Sequence, residues 1–197
     1  VHRKLWGTRE GIGSLSGDLP ADFPLEYAQS ADLARLVPAD APHQGLVLEC
    51  AELEDILLAD VLQDAEGCPL VILDQVTDPH NLGAVMRSAA AFGAAAIVTQ
   101  DRHAPPESGT VAKAASGALE KLPWIRVVNL ARALEEIADA GYWRVGLSGD
   151  GPQTLADALP SGPVAIVLGA EGAGLRHNTA AHCDGLARVP ITDMVES

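Results

Sequence analysis

Long hydrophobic runs are absent from this 197-residue sequence, and aromatic residues are scarce at 4%. No apolar stretch approaches the roughly 20 residues that a membrane-spanning helix needs. The first residues, Val1 to Lys4, are not followed by the apolar core of a signal peptide. Together with an apolar fraction of 48%, these absences predict a soluble globular protein with no membrane segment. A chain of this length can bury one good core, with a small appended unit.

Cysteine is also rare. Cys50, Cys68 and Cys183 are odd in number and far apart, which is not the pattern of a disulfide-rich secreted domain. We therefore expect buried or free thiols in a reducing, cytoplasmic compartment. His177 and His182 lie near Cys183, but their spacing matches no common zinc pattern and no fourth ligand is evident. No metal site is predicted.

Basic residues are few. The sequence has 13 Lys and Arg against 27 Asp and Glu, a net charge of −14. Nucleic-acid-binding domains are usually basic, so the overall charge counts against an RNA-binding function. A local basic patch can still bind phosphates on an acidic protein, although its non-specific affinity should be weak.

From Pro69 onward, predicted strands and helices alternate regularly. Strands are expected at 70–74, 95–99, 125–129, 143–148, 164–168 and 186–190. Helices are expected at 79–92, 107–120, 130–140, 153–159 and 173–182. Alternation of this kind predicts an α/β fold with a mostly parallel sheet and helices on both of its faces.

The first part of the chain is less regular, because glycines and prolines interrupt any long element before residue 25. One or two helical turns are expected at 31–36, a strand at 44–50 and an acidic helix within 51–62. The segment 64–67 reads as a connection. We therefore predict two domains, a small N-terminal unit at 1–62 and a larger one at 67–197.

The stretch 71–93 combines a buried strand, a polar turn and a helix. Asp78 can cap the helix, and Pro79 suits its first position, where the missing N–H costs nothing. An apolar stripe would pack the helix on a sheet, and Arg87 lies away from that stripe. In open α/β sheets, ligands bind where strands end and helices begin. The residues therefore predict a binding site in this stretch.

A glycine-rich turn, 169–174, follows the apolar strand at 164–168. It does not fit a dinucleotide-binding fingerprint, because Glu171 stands where glycine is needed and would repel a pyrophosphate. A small turn with one acid suits a positively charged ligand, or a carboxylate that orients a neighbouring arginine. Read alone, it is better explained as a plain helix-capping turn in which Glu171 interacts with backbone N–H groups.

A third stretch, 187–197, reads as a strand that runs into a loop. Taken together, the three stretches resemble the motifs of the SpoU-type (TrmH-like) RNA ribose 2′-O-methyltransferases, members of the SPOUT superfamily. The matching segments are Asn81–Ala84 with Arg87–Ala89, Leu168–Leu175, and Val189–Ile191. Pro42–Gly45 also resembles the segment that joins the family's small substrate-binding domain to its catalytic domain, so the resemblance covers residues 42–197.

The resemblance implies a fold, a cofactor and an assembly. The family's α/β domain ends in a deep trefoil knot, which is otherwise nearly absent from proteins. The knot binds S-adenosylmethionine in a bent conformation. The family works as a homodimer with its sites at the interface, and it transfers a methyl group to a ribose 2′-hydroxyl of RNA.

The resemblance also implies roles for particular residues. Asn81, Arg87 and Glu171 would form the polar catalytic cluster. The cofactor-binding residues would be Leu168, Gly169, Val189 and Ile191. The family's arginine is proposed to accept the hydroxyl proton, but arginine is ordinarily too basic for this role. The simpler expectation is that Arg87 clamps a phosphate and stabilises the developing oxyanion. Read without the resemblance, Arg87 is an ordinary surface helix arginine.

Two basic residues of the 99–121 segment, Arg102 and Lys113, are candidate RNA contacts, although ordinary surface charge is the simpler explanation for them. The family's third motif continues with a leucine, an asparagine and a helix, so we expect either that the chain is incomplete beyond Ser197 or that the protein does not bind the cofactor in the family's usual way. The N-terminal unit is also shorter than the family's substrate domain, and we expect it to be incomplete. The leading hypothesis is methylation of ribosomal RNA. Transfer RNA is the alternative substrate, and a non-catalytic RNA-binding protein that keeps the fold is the alternative class.

Overall fold

A computed structural model describes residues 2–15, 17, 19–20, 22–39 and 41–191, and the chain divides into two compact units. We call Val1–Glu54 the N-terminal unit and Asp55–Ser197 the sheet unit. This division falls earlier in the chain than the boundary expected at 64–67. Residues 55–62, which the sequence assigns to the first domain, lie with the sheet unit because their helix packs into its core.

The N-terminal unit is a small three-stranded sheet with two short helices. Its elements are β1 (His2–Gly7), α1 (Arg9–Gly13), β2 (Leu25–Tyr27), α2 (Ser30–Leu33) and β3 (Leu46–Cys50). Strand β1 lies in the middle, parallel to β2 and antiparallel to β3. The predicted strand at 44–50 and helical turn at 31–36 are confirmed. Strand β1 is not evident from the sequence. Leu5 is its one buried apolar side chain among the described residues, so the strand has no apolar run or alternation that would mark it.

The sheet unit alternates strands and helices along the chain. Its elements are α3 (Leu58–Asp64), β4 (Leu70–Leu73), α4 (Pro79–Ala91), β5 (Ala96–Gln100), a 3₁₀ turn (Asp101–His103), α5 (Gly109–Ala115), β6 (Trp124–Val127), α6 (Leu130–Asp139), β7 (Trp143–Leu147), β8 (Gln153–Thr154), α7 (Leu155–Ala158), β9 (Val164–Leu168), α8 (His177–Ala181) and β10 (Gly185–Arg188). The seven strands have the order β6-β5-β4-β9-β7-β10-β8, and every pairing is parallel. The predicted parallel α/β sheet is confirmed.

Helices cover both faces of this sheet. On one face, Ile72 of β4 packs in a cluster with Leu58 of α3 and Leu134 of α6. Successive strand residues point to opposite faces, so Leu73 and Ile97 point away from that cluster. Both are almost completely buried, and α4, which contacts β5, buries Leu82 in the same way.

Several predicted helices are shorter in the structure, and the predicted bounds are wrong there. The helix expected at 107–120 ends at Ala115, because Ser116 and Gly117 adopt positive φ values of 51° and 86°. The helix expected at 173–182 begins only at His177, after Gly174 at φ 66° and an extended Arg176. Left-handed and extended residues cannot continue an α-helix.

Two other helix predictions also need correction. Of the segment 153–159, Gln153 and Thr154 instead form strand β8 on β10, and helix α7 follows as a single turn. Of the segment 51–62, only residues from Leu58 onward are helical. Leu58 is also the first buried residue of that segment, which is consistent with tertiary packing rather than local preference stabilising a short helix.

The strand register aligns the carboxyl ends of the central strands. Leu73 of β4 pairs with Leu168 of β9, while Leu147 at the end of β7 pairs with Ala187 of β10. The segments that follow β4, β9 and β10 are the three stretches that the sequence analysis singled out. Because all the strands are parallel, the three segments leave the sheet at one edge, which we call the carboxyl edge.

Candidate active site at the carboxyl edge of the sheet

Helix α4 starts at the carboxyl edge with the predicted cap. Asp78 accepts a hydrogen bond from the backbone N–H of His80 at 2.9 Å, and Pro79 occupies the first turn. The helix buries Leu82 and Met86 and leaves Asn81 and Arg87 exposed. This geometry holds Asn81 in the first helical turn, directly beside the end of β4.

Helix α4 also lies against α5 at very short range. A Cβ atom at Gly83 would lie 2.4 Å from the Cβ of Ala114, which is closer than real side chains approach. Glycine is therefore required at this crossing. The contact fixes the start of α4, and with it Asn81, relative to the rest of the edge.

The turn after β9 is a tight backbone loop built on glycine. The Ala170 N–H donates to the carbonyl of Gly174 at 3.1 Å, and the Gly174 N–H donates back to Ala170 at 2.8 Å. Gly172 and Gly174 have φ values of 74° and 66°, a region in which other residues are strained. A Cβ at Gly169 would lie 2.1 Å from the carbonyl carbon of Gly174. The loop thus closes on itself and leaves Glu171 exposed near its tip.

The structure brings Asn81 and Glu171 together. The Nδ2 of Asn81 donates to Oε2 of Glu171 at 3.2 Å, although the two residues are 90 positions apart. Arg87 does not join this contact within the described residues. It lies six residues further along α4, which is about 9 Å along the helix axis and about a third of a turn around it. Two of the three predicted catalytic residues therefore meet directly, and the third lies further along the same helix.

The predicted cofactor-binding residues lie at the ends of β9 and β10. Leu168 is half-buried at the end of β9, next to Gly169. Val189 and Ile191 follow β10 and are 50% and 54% exposed. Strand β7 lies between β9 and β10, so the two segments leave the sheet about 10 Å apart. Residues 192–197, the rest of the third stretch, lie outside the described residues.

These residues are suited to a ligand with apolar and hydrogen-bonding parts. The exposed aliphatic side chains of Val189 and Ile191 can make apolar contacts with a ligand at the carboxyl edge. Gly169, which has no side chain, follows β9 at the same edge. The glycine leaves room for the backbone of Gly174, so the loop stays closed beside the end of β9. The arrangement therefore fits a small cofactor held by backbone groups and aliphatic side chains.

Sequence analysis missed an ion pair between Asp74 and Arg176, at the base of the 169–174 turn. The carboxylate of Asp74, the residue after β4, is completely buried. Its Oδ2 accepts the backbone N–H of Arg176 at 3.0 Å, and its Oδ1 accepts Nε of the same arginine at 2.7 Å. The guanidinium also donates to Oε1 of Gln100 at 2.8 Å. An acid that directly follows an apolar strand was a signal for this contact, but no local pattern pointed to Arg176.

The two candidate RNA contacts lie on separate elements. Arg102 is exposed in the 3₁₀ turn that follows β5, so it is close in sequence to the carboxyl edge. Lys113 is exposed on α5, the helix that packs against α4. Neither position assigns a function by itself, and their role in RNA binding stays a prediction.

No group of three or more His, Cys, Asp or Glu side chains suited to a metal ion occurs in the part of the chain that the structure describes. Nor is any helix in that part both long enough and apolar enough to span a membrane. Cys68 and Cys183 do not form disulfides. Burial raises the pKa of the Cys183 thiol to about 11, so this residue is an inert thiol at neutral pH.

Solved SpoU methyltransferases share the fold of this chain. AviRb from Streptomyces viridochromogenes, solved in complex with the cofactor AdoMet, superposes with a TM-score of 0.74 at 23% sequence identity. The match covers 100% of this chain and 77% of that one. The sequence model of the SpoU rRNA Methylase family matches residues 69–197, and the chain belongs to this family.

Curated relatives share more of the sequence. The 23S rRNA (guanosine-2'-O-)-methyltransferase RlmB of Pseudomonas aeruginosa is 42% identical over 163 residues, or 81% of this chain. RlmB of Ralstonia nicotianae is 43% identical over 188 residues, or 89% of this chain. The chain spans 66% of the length of the Pseudomonas relative and 75% of that of the Ralstonia relative.

Proposed function

We propose that this chain carries the catalytic domain of an RNA methyltransferase that transfers a methyl group from S-adenosylmethionine to a ribose 2′-hydroxyl. The observation that carries the proposal is the contact between Asn81 and Glu171. It joins the first and second family motifs at the carboxyl edge, where the third motif also leaves the sheet. The names of the curated relatives favour a guanosine of 23S ribosomal RNA as the substrate over transfer RNA.

In this proposal, the residues of the edge position the reactants. The cofactor supplies a methyl group that is already activated by its sulfonium. Gly169 and Val189 would hold it through backbone groups, with Leu168 and Ile191 beside it. The residues of this chain would place the ribose hydroxyl next to the methyl group and help its proton to leave.

A ribose hydroxyl is a poor nucleophile until its proton is accepted or its negative charge is stabilised. The Glu171 carboxylate is exposed and fixed by Asn81, so it can orient a donor or the hydroxyl itself. Arg87 is exposed on the same helix as Asn81. Its guanidinium would clamp an RNA phosphate and stabilise the developing oxyanion, as arginine does at other phosphoryl and oxyanion sites.

We further propose the family's assembly for this chain: a C-terminal trefoil knot, a homodimer with its sites at the interface and a cytoplasmic location. Exposed aliphatic side chains at Val189 and Ile191, which follow β10 at the carboxyl edge, support an interface beside the candidate site. Exposed apolar side chains that lie close together often mark a surface that a partner or a ligand covers.

We propose that the N-terminal unit binds RNA. Arg9, Ile12, Gly13 and Tyr27 line a cavity of about 390 Å³ in this unit. Tyr27 is 62% exposed and can stack on a base. The other basic residues of this unit each pair with a carboxylate, whereas Arg9 forms no ion pair with a described residue. A cation beside an exposed aromatic ring suits a single-stranded nucleotide.

The test is methyl transfer from labelled S-adenosylmethionine to unmodified 23S ribosomal RNA, with the product nucleotide identified by mass spectrometry. We expect 2′-O-methylguanosine from the wild type and a large loss with Arg87→Ala. Arg132→Ala is the matched control, because Arg132 is an exposed helix arginine on α6 that pairs with Glu136 at 3.4 Å. RNA binding without methylation would support the non-catalytic alternative and overturn the proposal.

A further inference from the structure

Asp74 holds both ends of the turn that carries Glu171. Its backbone N–H donates to the carbonyl of Leu168 at 2.8 Å, just before the turn. Its carboxylate accepts the backbone N–H of Arg176 at 3.0 Å, just after the turn. Asp74, at the end of β4, is therefore hydrogen-bonded to both residues that flank the loop formed by residues 169–175.

We propose that Asp74 and Arg176 are positioning residues for the active site, and that they hold the 169–175 loop so that Glu171 meets Asn81. We call these two residues with Gln100 the loop clamp. The inference rests on the proposed function where it concerns cofactor binding. It goes beyond the family motifs in assigning the loop's position to an ion pair between a buried carboxylate and a partly exposed arginine.

Charge and burial explain why the clamp is rigid. The Asp74 carboxylate has no exposed surface, and it accepts both a backbone N–H and the guanidinium of Arg176. Charge-assisted hydrogen bonds of this kind are short and strong. A buried carboxylate without its partner would be costly, so Asp74 strongly favours the single loop position in which Arg176 reaches it.

Further hydrogen bonds connect the clamp to the ends of β5 and β6. The guanidinium of Arg176 also donates to Oε1 of Gln100, at the end of β5. The Nε2 of Gln100 in turn donates to the carbonyl of Val128, just after β6, at 3.1 Å. The contacts thus connect the ends of β9, β4, β5 and β6, and a movement of the loop would disturb all of them.

The loop needs such a clamp because its own sequence favours mobility. It contains three glycines, two of them at positive φ, and glycine has the greatest backbone freedom of any residue. Its internal hydrogen bonds join Ala170 to Gly174, so they shape the loop without attaching it to the sheet. The loop is attached to the rest of the molecule by the clamp, by the Asn81–Glu171 hydrogen bond and by Leu175, which packs against the core.

The matched pair of variants is Arg176→Lys and Arg144→Lys. Lysine keeps the charge but cannot serve Asp74 and Gln100 together, because it lacks the planar fork of arginine. Arg144 makes a similar pair with Asp184, through Nε at 2.9 Å and through a second guanidinium nitrogen at 2.6 Å, but it lies at the opposite, amino edge of the sheet. Arg144→Lys therefore shows the effect of weakening an arginine–aspartate pair that lies far from the 169–175 loop.

The first measurement is amide hydrogen exchange of the full chain over residues 169–176, which requires no cofactor. We expect Arg176→Lys to speed exchange of the Ala170, Ala173 and Gly174 amides, and Arg144→Lys to leave them unchanged. Gln100→Ala, which removes the contacts with Arg176 and Val128 but keeps the Asp74–Arg176 pair, should give a smaller increase. Equal exchange in this loop for the two lysine variants would overturn the clamp.

The second measurement is S-adenosylmethionine binding by calorimetry, with the melting temperature of each variant recorded. We expect roughly tenfold or greater weakening for Arg176→Lys and wild-type affinity for Arg144→Lys, even where the control melts lower. Unchanged affinity with Arg176→Lys would overturn the clamp's role in cofactor binding. A wild-type chain without cofactor affinity would overturn the proposed function instead, while the exchange rates would still decide whether the clamp holds the loop.

Discussion

Asn81 and Glu171 meet at 3.2 Å, with the amide of Asn81 donating to the carboxylate of Glu171. One residue belongs to the first turn of α4 and the other to the loop after β9, so the contact joins two adjacent strands of the sheet at their carboxyl ends. Both side chains are exposed. A polar pair that is fixed in place but open to solvent is available to a substrate.

The first prediction concerns this pair. Glu171→Gln keeps the shape of the side chain but removes its charge, and we expect about a hundredfold loss of the methyl-transfer rate. Asn81→Ala should lose less, about tenfold, because it removes the residue that orients the carboxylate. The rates are measured in single-turnover methylation assays with saturating cofactor.

A double-mutant cycle tests whether the two residues act as a unit. If they do, the Asn81→Ala and Glu171→Gln double variant is scarcely slower than Glu171→Gln alone. Fully additive losses would mean that Asn81 contributes to the reaction independently of Glu171.

The second prediction concerns Gly169. A Cβ atom at this position would lie 2.1 Å from the carbonyl carbon of Gly174, which belongs to the backbone of the same closed loop. We expect Gly169→Ala to lower the free energy of unfolding by about 1–3 kcal/mol and to abolish tight cofactor binding, because the loop must open to accept a methyl group. Chemical denaturation and calorimetry measure the two effects.

Gly162→Ala is the matched control, since a Cβ there has no neighbour within 4 Å and the glycine has no positive φ. Its stability should be unchanged or slightly higher, because alanine reduces the freedom of the unfolded chain. A Gly169→Ala variant that binds cofactor as the wild type does would show that the loop at Gly169 is not part of the cofactor site.

Sequence reasoning succeeds for the sheet and for the glycine turn because both leave local signals. Buried strands such as Val164–Leu168 are continuous apolar runs, and a tight turn needs glycine. It fails at the end of α5, because a serine at positive φ, Ser116, stops the helix and serine is not a residue that marks such a position.

The loop clamp shows a second kind of limit. Asp74 and Arg176 are 102 positions apart, and an arginine next to a short helix looks like an ordinary surface residue. The Asn81–Glu171 contact spans a similar distance, and only the resemblance of the surrounding motifs connected the two residues beforehand. Contacts between distant segments depend on strand order, which no local pattern in this sequence specifies.

The third prediction concerns acid stability. Hydrogen bonds from Arg144 lower the pKa of the Asp184 carboxyl below its ordinary value. The stability from this pair is therefore complete above the pKa of Asp184 in the unfolded chain, about 4, and is lost as the pH falls through the lower pKa of the folded state. Asp184→Asn should be less stable than the wild type by roughly 2 kcal/mol at pH 7.

Urea denaturation at pH 7 and at intervals between pH 5 and pH 2 measures this difference. The gap between the wild type and Asp184→Asn should narrow as the pH falls below about 4, because protonation removes the same interaction from the wild type. A gap that stays constant over the whole range would show that the effect of the substitution is steric rather than electrostatic.

The last prediction concerns RNA binding by the N-terminal unit. Tyr27→Ala removes an exposed aromatic ring from the cavity that Arg9 also lines. Stacking of one base is worth about 1–3 kcal/mol, so the affinity for single-stranded RNA should fall roughly ten- to hundredfold with little change in salt dependence. Arg9→Ala should also weaken binding, and it should reduce the slope of log K against log salt by about one, because one phosphate contact is lost.

Arg35→Ala is the control, since Arg35 pairs with Asp32 at 3.3 Å. Fluorescence anisotropy with a labelled oligonucleotide measures all three, and equal losses for Arg9→Ala and Arg35→Ala would place the RNA elsewhere on the chain.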